Sequence, residues 1–249
     1  MIALVLTPLV RLLSFKIDAV DYPNARRINT KPMPSAGGLS IVIAFSIATL
    51  VFIPMLTSTT APIKSYLSYT LPVVGAGWII ALTGLIDDVK ELSAKKKMIG
   101  ILLAASLVWF LTDFRLNDFK IPFGGPLLHF EPWLSYLLTV IWIVAITNAV
   151  NLIDGFDGLV SGVSIISLVT MGIVSYFFLP VPNLFLTMTI FVLVASIAGF
   201  FPFNYHPAII YLGDPTNQAI QSINQIDCIG NGNNPNHCQK IRKPRFKMK

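Results

Sequence analysis

The chain has 249 residues, of which 54% are hydrophobic and only 12% charged, and its mean hydropathy is +0.71, values that exclude an ordinary soluble domain. A formal charge of +6 does not point to nucleic acid, because the basic residues lie between apolar runs and in the last ten positions, where they report topology. What fits is an all-α, polytopic membrane protein, since a span needs about 20 mostly apolar residues and hydrocarbon forces backbone groups to bond within helices.

Seven apolar runs follow one another, at about residues 1–13, 37–56, 67–86, 98–114, 133–150, 159–179 and 184–203. The first has no basic segment before it and no small-residue cleavage site after it, so it reads as a short retained span and not as a signal peptide. The linker at 16–35 carries Lys16, Arg26, Arg27 and Lys31, and the linker at 87–97 carries Lys90, Lys95, Lys96 and Lys97. By contrast, the second linker has Lys64 alone, and the linker at 115–132 sets Arg115 and Lys120 against Asp118 and Glu131. Cytoplasmic loops collect Lys and Arg, which places the first and third linkers inside. Parity then places the fifth (151–158) and the seventh (204 onward) inside as well. The acidic and amide motifs thereby fall on the same face as the basic loops, although only Lys and Arg were counted.

The fourth linker, outside, has Gly124 and Gly125 between short apolar strings and predicts a small hairpin between spans four and five. His129 there is isolated and reads as a surface side chain. From residue 215 the sequence turns polar and rich in Asn, Gln, Gly and Lys, the composition of a disordered tail. Residues 1–214 are thus expected to form one transmembrane domain. Cys228 and Cys238 lie in the tail and are expected to be unpaired thiols.

Chemistry concentrates at two run ends. Asp87 and Asp88 close the third run, and NAVNLIDGFDG (148–158) sets Asn151, Asp154 and Asp157 at three-residue spacing after the fifth. A charge at a span centre costs about 2.5–3.5 kcal/mol on insertion scales, so acids belong at span ends or in wet cavities. The bland reading is solvated acids at helix ends, yet the macrodipole disfavours negative charge at a helix C-terminus. The neighbouring lysines could neutralise the Asp pair without a metal. With Asp214 these residues form a hard-oxygen set of the kind that Mg²⁺ takes. Such a cleft, with basic loops beside it, suits reaction of a nucleotide-activated donor with a lipid phosphate. The basic loops would attract a polyanionic donor and equally anionic lipid headgroups. A transporter is the rival from another class, but it requires acids at mid-span, where these runs are nearly free of charge. A non-catalytic membrane scaffold is a third reading.

Four stretches, DYPNARRINTKPMPSAGG, GLIDDVKELSAKKK, NAVNLIDGFDGLVSG and FFPFNYHPAIIYLGD, occur in the order seen in the polyprenyl-phosphate N-acetylhexosamine-1-phosphate transferases (glycosyltransferase family 4). The chain resembles that family over residues 1–214, most closely the branch that uses UDP-N-acetylglucosamine in teichoic acid or O-antigen synthesis. The sister branch, which transfers phospho-N-acetylmuramoyl-pentapeptide, is less similar in the first loop and stands as the alternative. The resemblance implies transfer of N-acetylglucosamine-1-phosphate from UDP-N-acetylglucosamine to undecaprenyl phosphate with release of UMP. It also implies dependence on Mg²⁺, with Mn²⁺ as a substitute, at the cytoplasmic face of the cell membrane. Asp87, Asp88, Asp154 and Asp157 take catalytic positions, Asn151 and Asp214 metal positions, and Asn24, Arg27, Lys31, Lys97 and His206 substrate-binding positions. Pairing of two copies stays open. Two departures accompany the match. Asn29 stands where many members have His. After Asp214 the family continues with Thr-Gly, further spans and an H-x-H-H cluster, whereas here Pro215, Thr216 and unrelated polar sequence follow, as in a frameshifted or prematurely ended product. On that pattern the chain as given is expected to have little or no activity.

Overall fold

The computed structural model describes residues 2–21, 32–52, 63–90, 92–112, 114–121, 125–178 and 184–213. Each of the seven apolar runs forms a helix: α1 Ile2–Lys16, α2 Gly37–Ile47, α3 Ile63–Lys90, α4 Ala94–Leu111, α5 Pro132–Ile153, α6 Leu159–Phe177 and α7 Leu184–Asn204. Helix α2 runs on into a π-turn, Ala48–Phe52.

Among the described residues four helical segments are long and apolar enough to cross a membrane: Thr70–Lys90 within α3, Pro132–Ile153, Leu159–Phe177 and Leu184–Asn204. The expected seven spans are therefore matched by seven helices but by four that meet that measure. Helix α1 has 15 residues, α2 has 11 before its π-turn, and α4 takes Lys95, Lys96 and Lys97 into its first turn. Those lysines, assigned to a linker from the sequence, are helical.

The helices form an irregular bundle. Helix α6 packs along α7, α3 along α4, α1 against α2 and α7, and α4 against α5. Small and hydroxyl side chains line these contacts, as expected where lipid offers no hydrophobic drive for helix association. An added Cβ at Gly199 of α7 would lie 3.0 Å from the Ala3 Cβ of α1, and one at Gly172 of α6 would lie 3.0 Å from the Phe191 ring of α7. Thr7 donates to the Ala3 carbonyl at 2.7 Å and meets Ser40 of α2 at 3.2 Å. Ser175 and Thr187 join α6 to α7 at 2.6 Å.

The core centres on Val10, Ala19, Ala36, Ile41, Ile197, Phe200 and Ile210. Two short antiparallel ladders complete the fold. Strand β1 (Val20–Asp21) pairs with β2 (Met33–Pro34), with Val20 opposite Pro34. Strand β3 (Asp118–Lys120) pairs with β4 (Leu127–His129), with Phe119 opposite Leu128. His129 contacts its cross-strand partner Asp118 through Nδ1, so the isolated histidine of the sequence has a carboxylate partner. The first ladder was not legible in the sequence. It is completed by a strap, residues 205–213, whose Tyr211 N–H donates to the Pro34 carbonyl at 2.8 Å.

Candidate active site

Helix α3 runs through the Asp pair and ends at Lys90, which places a cation in its last turn where the macrodipole favours one. Asp87 turns inward and is 5% exposed. Its Oδ1 accepts the Leu92 N–H at 2.9 Å, and its Oδ2 accepts from Lys97 Nζ at 3.3 Å. This carboxylate therefore ties the end of α3 to the first turn of α4. A carboxylate buried this deeply is tolerated because both oxygens are bonded, one of them to a cation.

Asp88, one residue on, faces Gly213. A Cβ built on Gly213 would stand 3.3 Å from Asp88 Oδ2 and 2.9 Å from the Ser35 carbonyl, and its φ is +132°. Both space and backbone conformation reserve that position for glycine.

Asn151 lies in the last turn of α5 and Asp154 is its C-cap residue. Together with Asp87, Asp88 and Lys97 they line one cleft of about 350 Å³. Its remaining wall is largely apolar, including Leu39, Val42, Ile80 and Ile101, with Thr83 and Thr147 as further hydroxyls. Leu212 and Gly213 of the strap and Ala36 and Gly38 from the start of α2 close one side. Thr147 stands one helical turn before Asn151, a spacing that would have marked it in the sequence. Nothing in the sequence marked Leu212 or Gly213 as neighbours of Asp88.

The other sequence candidates divide. Asp157 and His206 are not among the cleft residues. They meet each other instead, Nδ1 to Oδ2 at 3.0 Å, and the same Oδ2 accepts the Ala208 N–H at 3.1 Å. Asn24, Arg27, Lys31 and Asp214, and likewise Asn29, lie outside the described residues. The loop bearing the first three leaves and re-enters the described structure at the β1–β2 ladder, which the strap adjoins.

Among the described residues no three His, Cys, Asp or Glu side chains converge as a metal cage. The cleft instead offers carboxylates and an amide, which are hard oxygen donors. That matches Mg²⁺, which takes one or two carboxylates and completes its shell with water and substrate phosphates.

The sequence model of glycosyl transferase family 4 matches residues 70–221, which carry Asp87, Asp88, Lys97, Asn151 and Asp154. The chain belongs to glycosyl transferase family 4. Among its relatives, a probable undecaprenyl-phosphate N-acetylglucosaminyl 1-phosphate transferase of Bacillus subtilis is 38% identical over 212 residues, covering 85% of this chain and 55% of the relative. A decaprenyl-phosphate N-acetylglucosaminephosphotransferase of Mycolicibacterium smegmatis is 32% identical over 219 residues, 85% of this chain and 53% of that protein. A phospho-N-acetylmuramoyl-pentapeptide-transferase of Staphylococcus saprophyticus is 32% identical over 232 residues, 88% and 68% of the two chains. The chain spans about half the length of the first two of these family members.

Proposed function

We propose that the cleft serves transfer of N-acetylglucosamine-1-phosphate from UDP-N-acetylglucosamine to a polyprenyl phosphate, with undecaprenyl phosphate as acceptor, at the cytoplasmic face of the cell membrane. In this reaction an acceptor phosphate oxygen attacks the sugar-linked phosphorus of the donor. The bond from that phosphorus to the bridging oxygen breaks, and UMP leaves. The observation that carries the reading is the convergence of Asp87, Asp88, Lys97, Asn151 and Asp154 from three helix ends onto one cleft with an otherwise apolar wall. A polar end fits phosphates, and an apolar wall fits an isoprenoid chain. The activities for which the N-acetylglucosamine relatives are named support the sugar, and teichoic acid or another wall polysaccharide is the pathway we favour.

Phosphoryl transfer is catalysed mainly by positioning and by neutralising charge on the transferred group. Lys97 supplies a cation at the cleft, and Asp87 holds it in place. Asp88, beside the strap, is assigned to orient the acceptor or take its proton, with Asp154 lining the same cleft. Mg²⁺, or Mn²⁺ in its place, would be held by Asn151 together with Asp214 and would neutralise donor phosphates. Asn24, Arg27 and Lys31 of the basic loop are assigned to the donor.

The phospho-N-acetylmuramoyl-pentapeptide reading is kept as the second because a relative of that activity covers 88% of this chain. Release of UMP by a version of the chain lengthened to match its relatives, measured with each UDP-sugar and undecaprenyl phosphate in lipid nanodiscs, separates the two. The expected result is turnover with UDP-N-acetylglucosamine that disappears in Asp88→Asn and is lost in EDTA until Mg²⁺ is restored. Turnover insensitive to Asp88→Asn would remove the cleft from the chemistry.

A further inference from the structure

We propose that Asp157 is a positioning residue: it fastens the strap of residues 205–213 across the end of the bundle, and through the strap holds Gly213 against Asp88. The α5 helix ends at Ile153, so the chain has already turned away by Asp157, and the carboxylate faces the strap. Its Oδ2 takes the Ala208 N–H at 3.1 Å and meets His206 Nδ1 at 3.0 Å. The histidine side chain is 79% exposed and the aspartate 25%, so the half-buried amide bond is the fastening and the histidine is its outer cover. A backbone N–H bonded to a charged acceptor is among the stronger hydrogen bonds in a protein.

Further ties make the strap a built element. Ser161 Oγ donates to Asn204 Oδ1 at 2.8 Å, and Asn204 Nδ2 donates to the Ile210 carbonyl at 3.2 Å. Ile210 itself is fully buried in the core. Beyond it the Tyr211 and Leu212 carbonyls accept the Gly37 and Gly38 N–H groups at 2.9 and 2.7 Å, so the strap occupies the first amides of α2. The last described strap residue, Gly213, then lies between the Ser35 carbonyl and Asp88 with no room for a Cβ. Slack at Ala208 has only the stretch from there to Gly213 to cross before it reaches the mouth of the cleft. Gly158 follows Asp157 with φ +73°, and a Cβ there would stand 3.3 Å from Tyr205 Cα; the start of α6 and the start of the strap are thus packed against each other.

The effect on transfer rests on the proposed function, but the fastening does not. Amide exchange is measured on the whole 249-residue chain in nanodiscs for the parent, Asp157→Ala and Asp157→Asn, and UMP release is scored on the same three forms of the lengthened version. In Asp157→Ala, exchange at Ala208 is expected to rise by about tenfold or more, the loss of one charge-assisted hydrogen bond, and transfer is expected to fall by a similar factor. An asparagine still accepts the Ala208 N–H, so in Asp157→Asn both readouts stay within about threefold of the parent. Unchanged protection at Ala208 in Asp157→Ala overturns the proposal. So does Asp157→Asn that keeps protection but loses transfer, because the charge would then act on the substrate directly. Should Asp157→Ala not be recovered folded, Asp157→Asn decides alone: protection and transfer both retained uphold the proposal, and loss of either overturns it. A lengthened parent that releases no UMP counts against the proposed function, while the exchange arm still decides the fastening.

Discussion

At the scale of single residues, two carboxylates adjacent in sequence have separate tasks. Asp87 is spent on the Leu92 amide and on Lys97, while Asp88 borders the strap and the cleft. Lys97→Met should therefore destabilise the protein by about 3 kcal/mol, since it leaves a buried carboxylate without its cation. The double variant Asp87→Asn with Lys97→Met should recover part of that loss, which the unfolding midpoint in detergent would record; equal midpoints for the single and double variants would deny the pair any structural weight. That these acids sat at helix ends was legible from the run boundaries alone. The division of labour was not, because it depends on which way α3 is rotated when it meets α4. The same limit applies to Asn151, Asp154 and Asp157. Their three-residue spacing stacks them on one face only while the helix lasts, and it ends at Ile153, so two reach the cleft and the third faces the strap.

At the scale of elements, glycines report how closely helices approach. A Cβ at Gly100 of α4 would stand 2.4 Å from Thr83 Oγ1 and 3.0 Å from Thr83 Cβ on α3, whereas Gly77 and Gly84 of α3 have nothing within 4 Å, and both line the cleft. Gly100→Ala is thus expected to cost about 1–3 kcal/mol through overpacking at a stiff β-branched neighbour. Gly84→Ala should be neutral or slightly stabilising, as helix propensity predicts, and Gly84→Leu should keep the fold while narrowing the cleft and lowering transfer. Melting curves on the three variants and UMP release by their lengthened versions check this, and a lengthened Gly84→Leu protein with undiminished turnover would mean that the lipid substrate does not use this wall. The seven apolar runs announced the seven helices because their hydropathy is a local property. The β1–β2 ladder and the strap did not announce themselves, since the bond between them joins Pro34 to Tyr211, residues far apart in sequence whose pairing no local apolar pattern marks.

For the whole molecule, the decisive matter is which ends of the helices share a side. Helix α5 leads from the β3–β4 hairpin to the acidic turn. Its 22 residues rise about 33 Å at 1.5 Å each, enough to cross a hydrocarbon layer of about 30 Å. The ends of α3 and α5, the starts of α2 and α4 and the strap that follows α7 all reach the one cleft, so a single assignment of α5 fixes the side of every motif there. We propose the cytoplasm for that side, because the linkers at 16–35 and 87–97 are basic and cytoplasmic loops collect Lys and Arg. With Cys228 and Cys238 replaced by Ser, single cysteines at Leu128, exposed on β4, and at Gly155, exposed in the acidic turn, are expected to react with a membrane-impermeant maleimide from opposite sides, Gly155 from the cytoplasm. A third cysteine at Lys90, at the end of α3, should side with Gly155. If Leu128 and Gly155 reacted from the same side, α5 would lie along the membrane instead of crossing it. The cleft would then have no lipid-facing wall from which a polyprenyl phosphate could enter beside Asp88.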